Sequence, residues 1–137
     1  VSKMRTHFNP KNNPRVIIIQ KLYGKIFNED NDLNFPKHRF KKFIKDIVFG
    51  TIEREELILE ELNAKLGDEF VYKNLDKVFQ IILKAATYEF LYKPNISINI
   101  IIKEYLDSSN FFLEDAQTKY LNALLDTIGK KLRSNNA

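Results

Sequence analysis

The sequence predicts an all-α protein, and three observations carry that prediction. Apolar residues recur at helical spacing in successive stretches along the chain. Breaking or capping residues (Pro14, Gly67-Asp68, Asn74, Asp76, Pro94-Asn95) stand between those stretches. The one run with strict strand alternation, Ile96-Ser97-Ile98-Asn99-Ile100, has no second strand to complete its hydrogen bonds. At 137 residues, 44% hydrophobic and 29% charged, the chain has the length and composition of one folded domain.

Residues 1–13 show no period and read as a flexible basic lead-in. Pro14 suits a first helical turn, where a missing N–H costs nothing. Val16, Ile19, Leu22, Tyr23, Ile26 and Phe27 then form one stripe. Asn28 to Asn34 is a polar turn segment, and Pro36 opens a second helix facing inward with Phe40, Phe43, Ile44, Ile47 and Val48. Gly50 is expected to interrupt it. An acidic third helix follows from Glu53 to Leu66, with Ile58, Leu59, Leu62 and Leu66 inward.

Asn74 or Asp76 caps a fourth helix with the strongest stripe: Leu75, Val78, Phe79, Ile82, Leu83, Ala86 and Phe90. In the next segment β-propensity votes strand. Ile98, Ile101, Ile102, Tyr105 and Leu106 nevertheless share a helical face, so the reading is helix. A last helix carries Tyr120, Leu121, Leu124, Leu125, Ile128 and Leu132, with Lys130, Lys131 and Arg133 at its C-terminal end, where the dipole favours cations. The expected organisation is a lead-in over 1–13, one helical domain over 14–133 and a frayed tail over 134–137.

Charge is uneven. Residues 1–45 hold eleven Lys/Arg against three Asp/Glu, and residues 46–137 hold eleven against fifteen, giving the overall +4. A basic leading part is the footprint expected for an anionic partner. The run Lys37, His38, Arg39, Lys41, Lys42 and Lys45 reads mainly as a solvated face. No apolar run approaches the ~18 residues of a membrane span. The opening residues lack a signal-peptide apolar run. The lack of cysteine excludes disulfides and fits a cytoplasmic protein.

Nothing in the sequence favours catalysis. His7 and His38 are isolated, so no metal site is expected. Glu55-Glu56 and Glu60-Glu61 read as a solvated acidic face rather than an acid–base pair. The glycines never cluster into a phosphate-cradling loop. No enzyme and no cofactor are expected.

Five collinear motifs point elsewhere. They are Lys11 and Arg15 running into Ile19-Gln20-Lys21-Leu22-Tyr23; Phe43 to Gly50; Lys84, Ala86, Tyr88, Glu89 and Phe90; Ile102 to Asp107 followed by Phe111-Phe112; and Tyr120 to Asp126. Together they resemble the NusB family of transcription antitermination factors, in its alphaproteobacterial branch. The resemblance implies a compact bundle of about six to seven helices in two packed antiparallel subdomains. It also implies binding of boxA-like single-stranded RNA together with the ribosomal protein NusE, within the RNA polymerase antitermination complex, and the possibility of a homodimer.

Carried over residue by residue, the resemblance nominates Lys11, Arg15, Lys119 and Tyr120 for RNA, and Tyr23, Lys84 and Glu89 for the protein partner. Cations can track phosphates while an aromatic ring offers a stacking surface. Tyr88 and Asn122 are expected to be structural, as a packed ring and a buried amide. The sequence departs from the family pattern in its thinned basic lead-in, in Ala123 where the family has Gly, and in Lys103. Two rival readings stand beside this one, the first prompted by the thinned lead-in and the second by the same fold preceding rRNA methyltransferases. One is a protein-interaction module on the same scaffold without RNA binding. The other is a free-standing relative of the RNA-binding domain of rRNA methyltransferases.

Overall fold

The computed structural model describes residues 13–27, 35 and 37–134. Lys11, His7 and Pro36, with the lead-in up to residue 12, the turn segment 28–34 and the tail from 135, lie outside the described residues. Among the described residues six α-helices follow in order: α1 (Pro14–Phe27), α2 (Lys41–Glu53), α3 (Glu55–Leu66), α4 (Lys77–Tyr92), α5 (Ile98–Ser109) and α6 (Asp115–Arg133), with a short 3-10 turn at Tyr72–Asn74. Helix α4 packs against each of the other five helices, so it is the hub of the bundle. That position explains its sequence: every residue from Phe79 to Phe90 except Lys84 is buried.

Local chemistry sets the helix starts. The Asn13 carboxamide oxygen accepts from the backbone N–H groups of Arg15 at 2.8 Å and Val16 at 3.3 Å, with Pro14 following as the first helical residue. Asp76 accepts from the Val78 N–H at 3.3 Å and starts α4. Ser97 accepts from the Ile100 N–H at 3.2 Å and starts α5. Glu114 and Gln117 form a reciprocal capping box at the head of α6.

Ser97 resolves the conflict over the isoleucine-rich run. The run is helical, with Ile101, Ile102 and Tyr105 turned into the core and Ile100 left 52% exposed. No strand occurs among the described residues. Burial of one helical face outweighs β-propensity, because a lone strand would leave its backbone groups unpaired.

Three expectations about the helices are corrected, the first being Phe40, expected to face inward but standing at the N-cap of α2, 42% exposed. Helix α2 does not break at Gly50 but runs through it to Glu53, and the chain turns at Arg54. A Cβ on Gly50 would lie 2.2 Å from the Tyr88 ring, so the glycine serves close packing of α2 on α4. On α1, Tyr23 and Ile26 lie outside the predicted inward stripe, 42% and 36% exposed, while Val16 to Ile19 are all buried against neighbouring helices.

The C-terminal end of α4 is closed by a side chain from far along the chain. The Arg133 guanidinium donates to the carbonyls of Phe90 at 3.0 Å, Ile96 at 2.7 Å, Lys93 at 3.0 Å and Glu89 at 3.2 Å. Phe90 lies in the last α4 turn, where carbonyls run out of helical N–H partners, while the Glu89 carbonyl also accepts from the Lys93 N–H at 2.9 Å. Burial lowers the Arg133 pKa against the opposing pull of Glu89. The rigid fork of arginine thus ties α6 to the turn between α4 and α5.

Candidate nucleic-acid interface

The nominated residues separate into buried and exposed groups. Arg15, expected on the surface against RNA, is 6% exposed and lies inside the bundle. Its Nε donates to Glu89 Oε2 at 3.0 Å and its second guanidinium nitrogen to Glu89 Oε1 at 2.5 Å. The guanidinium lies over the rings of Phe43 and Tyr105, at 5.1 and 5.4 Å from their centroids. Tyr105 adds a hydroxyl hydrogen bond to Glu89 Oε2 at 2.5 Å. One carboxylate therefore joins α1, α4 and α5.

This corrects two expectations. Arg15 is not placed to touch RNA, and Glu89, fully buried, is not placed to face a protein partner. The physical reason is the same for both: a buried carboxylate requires a desolvated cation and further donors. Burial disfavours the Arg15 charge, but Tyr105 and Glu89 outweigh it and hold the guanidinium pKa above its ordinary value. Burial, then the Glu89 charge, raises the Tyr105 hydroxyl well above the usual tyrosine range, against the opposing effect of Arg15.

Lys119 and Tyr120 remain exposed. Tyr120 is 47% exposed, and its ring rests on buried Phe79 with centroids 5.5 Å apart and an interplanar angle of 34°. The core thus backs one side of the ring, while nearly half of the residue remains open to solvent. The corner is braced by Gln117, whose amide donates to Asp76 at 3.0 Å and fastens the start of α6 to the start of α4. The Asn13 carboxamide oxygen, besides capping α1, lies 3.4 Å from the Ser108 hydroxyl at the end of α5, which donates to the Glu104 carbonyl at 2.8 Å. The head of α1 is therefore pinned beside the turn that leads into α6.

Of the residues nominated for a protein partner, Tyr23 is exposed. Lys84 is instead drawn into an ion pair with Glu55 of α3 at 2.6 Å, its side chain only 12% exposed. Asn122, expected as a buried amide, is exposed on α6. Tyr88 is buried as expected, its hydroxyl 3.5 Å from Asp46.

A family model described as the NusB family matches residues 12–130. The chain belongs to the NusB family. The transcription antitermination protein NusB of Sphingopyxis alaskensis is 32% identical over 91 residues, covering 66% of this chain and 61% of that protein. The corresponding protein of Maricaulis maris is 30% identical over 112 residues, covering 72% of this chain and 70% of that protein. The match therefore spans less than two-thirds of the Sphingopyxis protein. Among solved structures, NusB of T. maritima superposes with a TM-score of 0.75 at 23% identity, covering 90% of this chain and 92% of that one, which is a likeness of fold.

Within this NusB fold, sequence reading missed two features that shape the surface. Asn13, read as the last residue of the flexible lead-in, is the cap that orients α1; the Asn-Pro pair ahead of an apolar run is the signal for it. The cations at the head of α2, taken as a solvated face, border a cleft with exposed phenylalanines. Only the fold shows that cleft, because Lys93, from the end of α4, forms part of it. Among the described residues no group of three metal-ligating side chains occurs, and no helix is long and apolar enough to cross a membrane.

Proposed function

We propose that this NusB-family chain is a transcription antitermination factor of the bacterial cytoplasm, binding boxA-like single-stranded RNA jointly with the ribosomal protein NusE within the RNA polymerase antitermination complex. It acts by binding, without turnover. The observation that carries this reading is the Tyr120 ring, supported from beneath by Phe79 and exposed beside Lys119. An aromatic face next to an exposed cation suits an unpaired base and its phosphate. Tyr23, on the open face of α1, is the residue best exposed for the protein partner.

The test is fluorescence anisotropy with a labelled boxA oligonucleotide, with and without NusE. Tyr120→Ala is expected to weaken binding by one base stack, about 1–3 kcal/mol. Lys119→Ala is expected to reduce the salt slope by about 0.7, the value for one phosphate contact. A flat salt titration, with Tyr120→Ala binding as well as the parent, would sink the reading.

Burial of Arg15 favours one rival, because it removes a cation from the surface assigned to RNA. On that reading the chain is a protein-interaction module. It would capture NusE in a pull-down with no enrichment of RNA.

A further inference from the structure

We propose a second single-stranded RNA contact on this chain, in the cleft between α2 and the end of α4, separate from the Tyr120 corner. The proposal rests on the reading that the chain binds single-stranded RNA. Its residues come from a different part of the surface.

The cleft is a shallow, open groove of about 1080 Å³ lined by Arg39, Lys41, Lys42, Lys45 and Lys93, with Phe40, Phe43 and Phe49 between the cations. Among the described residues its one lining carboxylate, Asp46, is paired with Lys93. With Lys93 taken up by Asp46, the four other cations among the described lining residues leave a concentrated positive field on a chain whose net charge is only +4. Such a field selects an anionic polymer.

The aromatic residues favour nucleic acid over an acidic peptide. Phe40 and Phe49 are 42% and 38% exposed, Phe40 at the N-cap of α2 and Phe49 four residues before its C-terminal end. Nine residues separate them, about 13 Å along the helix. Arg39 lies over the Phe40 ring at 5.0 Å from its centroid, so a flat guanidinium and a ring stand together. Arginine planes and aromatic rings are the surfaces on which unpaired bases stack. An acidic peptide would use the cations and leave the rings idle.

The experiment measures anisotropy of a labelled oligouridylate 12-mer and of a boxA oligonucleotide on the full chain, with photocrosslinking from 4-thiouridine mapped to peptides. The variants are Arg39→Ala with Lys42→Ala, Phe40→Ala, and Tyr120→Ala. All these side chains are exposed, and circular dichroism checks their folding. Expected are crosslinks within residues 39–49 and at least fivefold weaker oligouridylate binding for Phe40→Ala. The double variant should lower the salt slope by about 1.4, for two phosphates.

Unchanged binding in the α2 variants, with loss in Tyr120→Ala, overturns the cleft and leaves the Tyr120 reading standing. Loss in the α2 variants alone supports the cleft and removes the Tyr120 reading. Binding of polyglutamate but no RNA overturns both in favour of an acidic protein partner.

Discussion

Arg15 and Glu89, 74 positions apart in sequence, form a two-pronged ion pair inside the helical bundle, with oxygen–nitrogen distances of 2.5 and 3.0 Å. Removing one partner leaves the other charge buried and uncompensated, which costs about 3–5 kcal/mol. Arg15→Ala is therefore expected to lose that much stability in urea unfolding. Arg15→Lys should recover only part of it, since an ammonium lacks the fork. Combining Arg15→Met with Glu89→Gln, which keeps an acceptor for Tyr105, should restore at least half. A stable Arg15→Ala variant with lowered RNA affinity would return Arg15 to the RNA surface.

Alkaline pH gives a second check. Burial and the Glu89 charge raise the Tyr105 pKa well above its ordinary value. The native state thus holds this proton more tightly than the unfolded chain. The contribution is complete below the unfolded pKa of about 10 and is lost as pH rises above it, by up to about 1.4 kcal/mol per pH unit. Tyr72, by burial and then Glu55, and Tyr88, by burial and then Asp46, shift in the same direction. Stability should therefore fall between pH 9 and pH 11, and Tyr105→Phe should fall less steeply. Parallel curves for the two proteins would show that Tyr105 does not titrate with unfolding.

Gly50 tests the packing of α2 on α4. Gly50→Ala places a methyl within overlap distance of the Tyr88 ring. Overpacking of this kind costs about 1–3 kcal/mol, although alanine is the better helix former. Adding Tyr88→Leu should recover part of the loss. A Gly50→Ala variant more stable than the parent would show that the ring moves aside freely.

Arg133 tests the lock on the end of α4. Arg133→Ala leaves the carbonyls of Glu89, Phe90, Lys93 and Ile96 without their guanidinium donor. A loss of about 2 kcal/mol is expected, as for hydrogen bonds to a charged group, with Lys failing to rescue it. Hydrogen exchange should then speed up first at residues 89–96. Uniform acceleration across all helices would argue against a local lock.

Much of the helix layout was legible in the sequence. The stripes on α4 and α6 and the cap at Asp76 are local signals, readable wherever 3.6-residue periodicity meets a capping side chain. The isoleucine run before Lys103 was readable only by setting β-propensity against the lack of a partner strand. Gly50 misled because glycine in a helix usually marks a weak point, whereas here it accommodates a ring from a helix distant in sequence.

The candidate site was legible in part. Tyr120 and Lys119 stand exposed as the motif suggested. Arg15 and Glu89 sit in equally suggestive motifs and turned out to satisfy each other. By itself the sequence determined the helical class, the order of the elements and the kinship with NusB proteins, because these depend on local periodicity and on collinear motifs. Tertiary structure alone decided which charges meet, that Phe79 backs Tyr120, and that Lys93 joins the cations of α2. Such pairings depend on how helices rotate and cross, and no single stretch of chain encodes that.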